Sequence, residues 1–378
     1  MENVRRNRRY YFDEVSFDII SSILSRLPTK TCLNCKLVCK EWYGIIISPE
    51  FADVRSSNCS YTPIMLYGVF EERMEFMVLD IDRYSKNDVI TSVDAVVRFR
   101  PRLSPRLSDI YYTVVNECNG LVLLTSWRQW DDPVVICNLL TGEQVTVEQN
   151  SRPGNYWSLV NYGLGCCTVS RQFKVLRILQ NDKEDDKFFV ADIQTLGSNE
   201  WRAVEGDASL NFNTLGIGAF LESGAFLHGS LHRYSNMDNS IWSFHFSKEQ
   251  FCQVPTLDKM KRGGYKCLHV FDNSCLVLTS LHKLLDRCVV WIMKEYGVKD
   301  SWVKLCVVET LYYLSVVPML RMSSSREILF SHYNELYLLE PCSDFADIRS
   351  WKKLMDYDVC NGFNVMAPCH VKFSKFSR

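Results

Sequence analysis

The stretch that decides the architecture runs Phe17-Asp18-Ile19-Ile20-Ser21-Ser22-Ile23-Leu24-Ser25-Arg26-Leu27-Pro28-Thr29-Lys30, then Cys35-Lys36-Leu37-Val38-Cys39-Lys40-Glu41-Trp42. Phe17, Ile20, Leu24 and Leu27 recur every three or four positions, which puts them on one face of a helix. Ser16 can cap its start, Asp18 lies at the positive end of the helix dipole, and Pro28 stops it. Ile19 and Ile23 form a second stripe beside the first, so the apolar face is wider than a small helical unit needs for its own core. After Pro28, Cys32, Cys35 and Cys39 fall at helical intervals, and Val38, Trp42, Ile45 and Ile46 make a further stripe that ends at Pro49. A unit of about 40 residues buries too little surface to be stable alone. The ridge around Ile20, Leu24 and Trp42 is therefore expected to be completed by another polypeptide.

Beyond Phe51 the pattern changes to short apolar runs separated by polar turns, the signal of strands. The runs fall into groups: Leu121–Leu124 with Val134–Cys137, Phe173–Leu179 with Phe188–Ile193, Ala225–Leu231 with Ile241–Phe246, Cys275–Leu278 with Val289–Met293, and Ile328–Phe330 with Leu336–Leu339. Successive groups start roughly 50 residues apart, a kelch-like period, and a blade of a few strands buries its faces only by stacking against its neighbours. The expected fold is a small all-α N-terminal module followed by an all-β propeller-like domain. Its boundaries are drawn at 1–11 for a disordered basic tail, 12–55 for the helical module and 60–374 for the propeller. Trp201, Trp242, Trp302 and Trp351 recur near strand or turn positions of successive groups and are expected to wedge between blades.

Composition narrows the class of function. The chain has 43 basic and 44 acidic residues for a net charge of -1, so no bulk field draws it onto nucleic acid or an anionic membrane. No apolar run approaches the roughly 20 residues that cross a bilayer as a helix. The 16 cysteines are scattered through apolar runs and no signal-peptide pattern precedes them, which points to a reducing compartment, cytoplasmic and/or nuclear. Arg5, Arg6, Arg8 and Arg9 read first as a solvated terminus, with a nuclear address as the other reading.

The segments Ile23-Leu24-Ser25-Arg26-Leu27-Pro28 and Val38-Cys39-Lys40-Glu41-Trp42, followed by Ile45-Ile46 and Ser48-Pro49-Glu50-Phe51, resemble the F-box in its plant form, in order and in spacing. The resemblance implies docking onto a Skp-family adaptor, and through it a cullin scaffold, with Ile19, Ile20, Ile23, Leu24, Leu27, Pro28, Val38 and Trp42 as the docking residues. The chain departs from the family at Val15-Ser16, where Leu-Pro is usual. The run Val290-Trp291-Ile292-Met293-Lys294-Glu295-Tyr296-Gly297-Val298-Lys299-Asp300-Ser301-Trp302 resembles the plant F-box-associated domain. So do Cys118-Asn119-Gly120-Leu121, Tyr162-Gly163-Leu164-Gly165 and Phe226-Leu227-His228-Gly229-Ser230-Leu231-His232. That resemblance implies a propeller surface that takes an unknown target protein for ubiquitination, with no transferable contact residues. The alternative is a propeller scaffold that does not recruit the ligase.

Catalytic and metal-binding patterns are weak. Cys32-x-x-Cys35-x-x-x-Cys39 lacks a fourth ligand and reads as helix packing. Cys166 and Cys167, as neighbours in a strand, would point to opposite faces. His228 and His232 read as strand residues sharing one face, without a carboxylate partner. Asp182, Glu184, Asp185 and Asp186, interrupted by Lys183 and Lys187, read as a solvated hairpin tip. Taken with these weak patterns, the family resemblance implies a non-catalytic specificity subunit of a ubiquitin ligase, with no cofactor or metal expected.

Overall fold

The computed structural model describes residues 15–70, 73–82, 97–103, 112–126, 133–139, 141–149, 157–181, 189–204, 224–235, 239–261, 264, 266–282, 287–309, 316–322, 327–332, 335–340, 345–347, 352–353 and 363–368. The basic tail, the acidic run at 182–187 and Trp351 lie outside the described residues. Four short helices come first: α1 (Phe17–Leu24), α2 (Thr29–Cys35), α3 (Lys40–Ile46) and α4 (Pro49–Asn58). Ser16 starts α1 in an extended conformation and its hydroxyl accepts from the Ile19 amide at 3.4 Å. A serine cap thus does the work of the proline that the family usually places there. The Cys39 sulfur and the Ser48 hydroxyl begin α3 and α4 in the same manner, accepting from Trp42 N and Phe51 N. α2 differs, because its leading residue is Pro28 and no side chain of the helical module caps it.

Six antiparallel blades follow among the described residues. In chain order blade 2 holds β4 (Tyr112–Cys118), β5 (Leu121–Ser126), β6 (Val134–Asn138) and β7 (Gln144–Val147). Blade 3 holds β8 (Trp157–Cys166), β9 (Phe173–Asn181), β10 (Phe189–Thr195) and β11 (Arg202–Ala203). Blade 4 holds β12 (Ala225–Leu227), β13 (Ser230–Ser235), β14 (Ser240–His245) and β15 (Gln250–Val254). Blade 5 holds β16 (Lys266–Phe271), β17 (Cys275–His282), β18 (Arg287–Met293) and β19 (Trp302–Glu309). Blade 6 holds β20 (Val316–Arg321), β21 (Ile328–His332), β22 (Glu335–Leu339) and β24 (Lys352–Lys353). Between the last two, β23 (Phe345–Asp347) leaves blade 6 to pair in parallel with β19 of blade 5.

Blade 1 is assembled from both ends of the domain. β1 (Tyr61–Phe70), β2 (Arg73–Asp82) and β3 (Val97–Phe99) supply its outer three strands, and β25 (Phe363–Pro368) adds the inner one by pairing antiparallel with β1. Joining the two ends in one sheet closes the ring and pairs an edge of β1 that would otherwise be open.

Three devices of the sequence set the blades. Asn119 and Gly120 both have positive φ, at 50° and 85°, the geometry of a tight hairpin turn whose twist matches its strands. His228 and Gly229 repeat it at 50° and 74° in blade 4. The expected strand over Ala225–Leu231 is thus two strands around a tight turn, and His228 stands on that turn, away from the strand face expected for it. Second, Trp201 and Trp302 stand at the start of the fourth strands of blades 3 and 5. Each indole N–H donates to a carbonyl just past the fourth strand of the preceding blade, Glu148 O at 3.0 Å and Pro255 O at 2.8 Å. Trp242 lies instead within the third strand of blade 4, half-buried. Third, the inner strands are sewn together by Asn116, whose side-chain amide donates to Leu164 O and accepts from Leu164 N, both at 2.9 Å.

Candidate adaptor-docking site and its seat on the propeller

The helical module does not stand apart from the ring. Leu24, Cys32, Ile45, Ile46 and Phe51 share one buried cluster with Met65, Phe76 and Val78 of blade 1 and Val114, Val122 and Cys137 of blade 2. Ile20, Leu27, Leu33, Cys35 and Trp42 pack against the same cluster, half-buried. The ridge around Ile20, Leu24 and Trp42 is thus partly buried within this chain, with Leu24 in the shared core and Ile20 and Trp42 half-buried against it. Periodicity finds which residues share a helix face; it carries nothing about which surface meets that face.

The eight expected docking residues divide accordingly. Leu24 is 1% exposed and belongs to the core of this chain. Ile20, Leu27, Pro28 and Trp42 are half-buried. The second stripe faces outward, with Ile19 54% and Ile23 56% exposed, and Val38, on the turn between α2 and α3, is 62% exposed. Phe17, which the spacing placed on the first stripe, is exposed as well, as are Leu37 and Tyr43, which the spacing did not single out. Ile19 and Ile23, one turn apart, share one face of α1.

The cysteines of the module pack inside it. Cys32 is fully buried, and burial pushes its thiol up to about 12, so it stays protonated, the form that packs as a small hydrophobe. Cys35 packs on the same cluster and Cys39 caps α3.

On the propeller, β12 follows directly on Gly224, whose amide donates to Val115 O of β4 at 3.0 Å. Backbone at the inner edge of blade 4 thus bonds to the inner strand of blade 2. Cys166 closes β8, buried, and Cys167 follows it on the turn. Burial alone would raise the Cys167 thiol, but hydrogen bonds from Ser170 and Ser247 outweigh it and bring it to about 6. His228 and His232 do converge, but on an aromatic ring: His232 Nε2 lies 2.7 Å from the Tyr296 hydroxyl, and both imidazoles meet the Tyr296 ring edge-on at 5.1 and 5.5 Å.

With this geometry in place, residues 12–53 match the F-box domain, and residues 71–337 match the F-box associated beta propeller domain. The chain belongs to the F-box proteins that carry this propeller. Curated relatives agree: the F-box protein At3g07870 of Arabidopsis thaliana is 24% identical over 76% of this chain and 70% of its own length. The F-box protein CPR1 of the same plant is 26% identical over 78% of this chain and 73% of its own length. The putative F-box/kelch-repeat protein At3g17280, also from Arabidopsis thaliana, is 26% identical over 79% of this chain and 72% of its own length. An F-box joined to a propeller is the build of a substrate adaptor in Skp–cullin–F-box ubiquitin ligases, and this F-box protein has that general build.

Proposed function

We propose that this F-box protein recruits its ligase through the outward stripe of the F-box and selects a target protein with the propeller. Ile19, Ile23 and Val38, joined by Phe17, Leu37 and Tyr43, dock a Skp-family adaptor that a cullin carries, in the cytoplasm and/or nucleus. Catalysis belongs to other subunits; the propeller raises the local concentration of the target's lysines near the ubiquitin-charged enzyme. The observation that supports this reading most is the exposure of these apolar side chains on a module whose other face is already buried on its own propeller.

The test replaces Ile19 and Ile23 together by Asp in the full chain and measures capture by a purified Skp-family adaptor. Charge placed in a desolvated interface typically costs 2 kcal/mol or more, so capture is expected to fall by roughly thirty-fold or further. Both positions are exposed, so the denaturation midpoint should stay near that of the wild type. Full capture by a folded double variant refutes the docking surface. Replacing Val15-Ser16 by Leu-Pro separates the scaffold alternative. Because Ser16 already caps α1, less than a ten-fold gain in adaptor affinity is expected, whereas a rise from undetectable to tight favours the scaffold.

A further inference from the structure

α2 begins at Thr29 without a cap from its own module, and the missing acceptor comes from the propeller. Asp80, near the end of β2, accepts from the Thr29 amide through Oδ2 at 2.6 Å and from the Thr29 hydroxyl through Oδ1, also at 2.6 Å. The carboxylate is well shielded: burial pushes it above its ordinary range, opposed by the two Thr29 bonds and by the charge of Arg55. Arg55 of α4, itself buried, donates to Thr29 Oγ1 at 3.1 Å and to the carbonyls of Leu27 at 2.7 Å and Ser25 at 3.3 Å. Helix α4 runs directly into β1 through Cys59 and Ser60, so the end of α1, the start of α2, the end of α4 and the end of β2 meet at one buried polar knot.

We propose that Asp80, acting with Thr29 and Arg55, is a positioning residue that fixes the angle between the F-box and the propeller, and so fixes where a bound target stands relative to the adaptor-docking face. The proposal rests on the adaptor reading for its functional half only. Apolar packing between the two parts is non-directional and tolerates sliding. Two short hydrogen bonds to one carboxylate, made by the backbone and side chain of a single residue, do not. A part-buried carboxylate that lost Thr29 would keep only the charge of Arg55 in place of two short hydrogen bonds, so the knot holds one orientation against its neighbours.

The experiment uses the full chain co-expressed with a Skp-family adaptor. Amide hydrogen exchange of α2 is expected to quicken at least ten-fold in Asp80→Ala, while amides of blade 4 keep the wild-type rate. Thr29→Val, which removes the hydroxyl alone, should move in the same direction, and Thr29→Ser should restore the wild-type rate; this pair decides the matter if Asp80→Ala does not fold. The second readout is a reconstituted ligase with the chain's own lysines as ubiquitin acceptors, mapped by mass spectrometry. The wild type should modify a restricted set, and the Asp80 and Thr29→Val variants a broader one, with adaptor capture unchanged. Unaltered α2 exchange, or faster exchange with an unaltered lysine map, overturns the proposal. Failure of the wild type to bind the adaptor is a separate result: it removes the adaptor reading and leaves the exchange data to judge the knot.

Discussion

His232 sits wholly buried on β13, with Nδ1 3.0 Å from Ala225 O and Nε2 at the Tyr296 hydroxyl. Burial holds its pKa down to about 4, against the hydrogen bond to Ala225, which raises it. The sign of the linkage follows. Between the ordinary imidazole value of 6.5 and about 4, the unfolded chain binds a proton that the folded chain refuses. The stabilisation is complete above 6.5 and is lost as the pH falls through that window, at about 1.4 kcal/mol per pH unit. In urea denaturation across the window His232→Phe should be flatter than the wild type by about that amount, part of the remaining slope coming from His269, whose pKa burial also holds down to about 4. Equal slopes in the two proteins would place the acid sensitivity elsewhere. The sequence shows His228 and His232 four apart but not the residue that joins them, because Tyr296 comes from another blade and no local pattern encodes that meeting.

At the scale of the element, β8 carries Gly163 and Gly165 where a strand ordinarily carries side chains. A Cβ on Gly163 would stand 2.3 Å from Leu231 Cδ2, and one on Gly165 would stand 2.0 Å from the Phe246 ring. Blade 4 thus packs its large side chains directly on the backbone of blade 3. Phe246 is fully buried against Phe226 and Phe244 and has nowhere to retreat. Gly165→Ala is therefore expected to lower stability by about 3 kcal/mol, read as a shift in denaturation midpoint at constant slope. A loss below about 0.5 kcal/mol would mean that the ring yields. The Tyr162-Gly163-Leu164-Gly165 segment was legible as part of a family resemblance, but its reason was not, since the residues it accommodates lie on the next blade. The alternation that announces strands served well for the same reason that it failed at Ala225–Leu231: a two-residue turn leaves the count of alternating positions almost undisturbed. The indole bridges of Trp201 and Trp302 were half legible, as recurring large residues at one point of the repeat. Trp242 matched the recurrence without sharing the place in the blade. The exposed apolar stripe proposed for docking includes Ile19, Ile23 and Val38, which the sequence had already marked. The burial of Leu24 was not legible, because its core is shared with residues of blades 1 and 2, which come after a change of period and leave no mark on the helix itself.

The whole molecule depends on one long-range pairing. β25 meets β1 across most of the chain, with Leu66 opposite Val365 and Gly68 opposite Phe363. Cutting the chain after residue 362 removes that strand and leaves β1 with a bare edge and blade 1 without its inner strand. The shortened protein is expected to unfold at a markedly lower temperature and to self-associate, measured by calorimetry and light scattering. Wild-type melting of a monomeric truncation would show that the ring does not need its closing strand.

The division of labour along the chain gives that strand a wider consequence. The outward stripe on α1 and the Asp80 that seats α2 are both translated before residue 83, whereas blade 1 is finished only when Phe363–Pro368 arrives. A chain stopped before residue 112 would carry the exposed stripe but lack Val114, Val122 and Cys137, with which Leu24, Ile46 and Phe51 share their core, so it is expected to accumulate as an aggregation-prone fragment and not as a folded helical module.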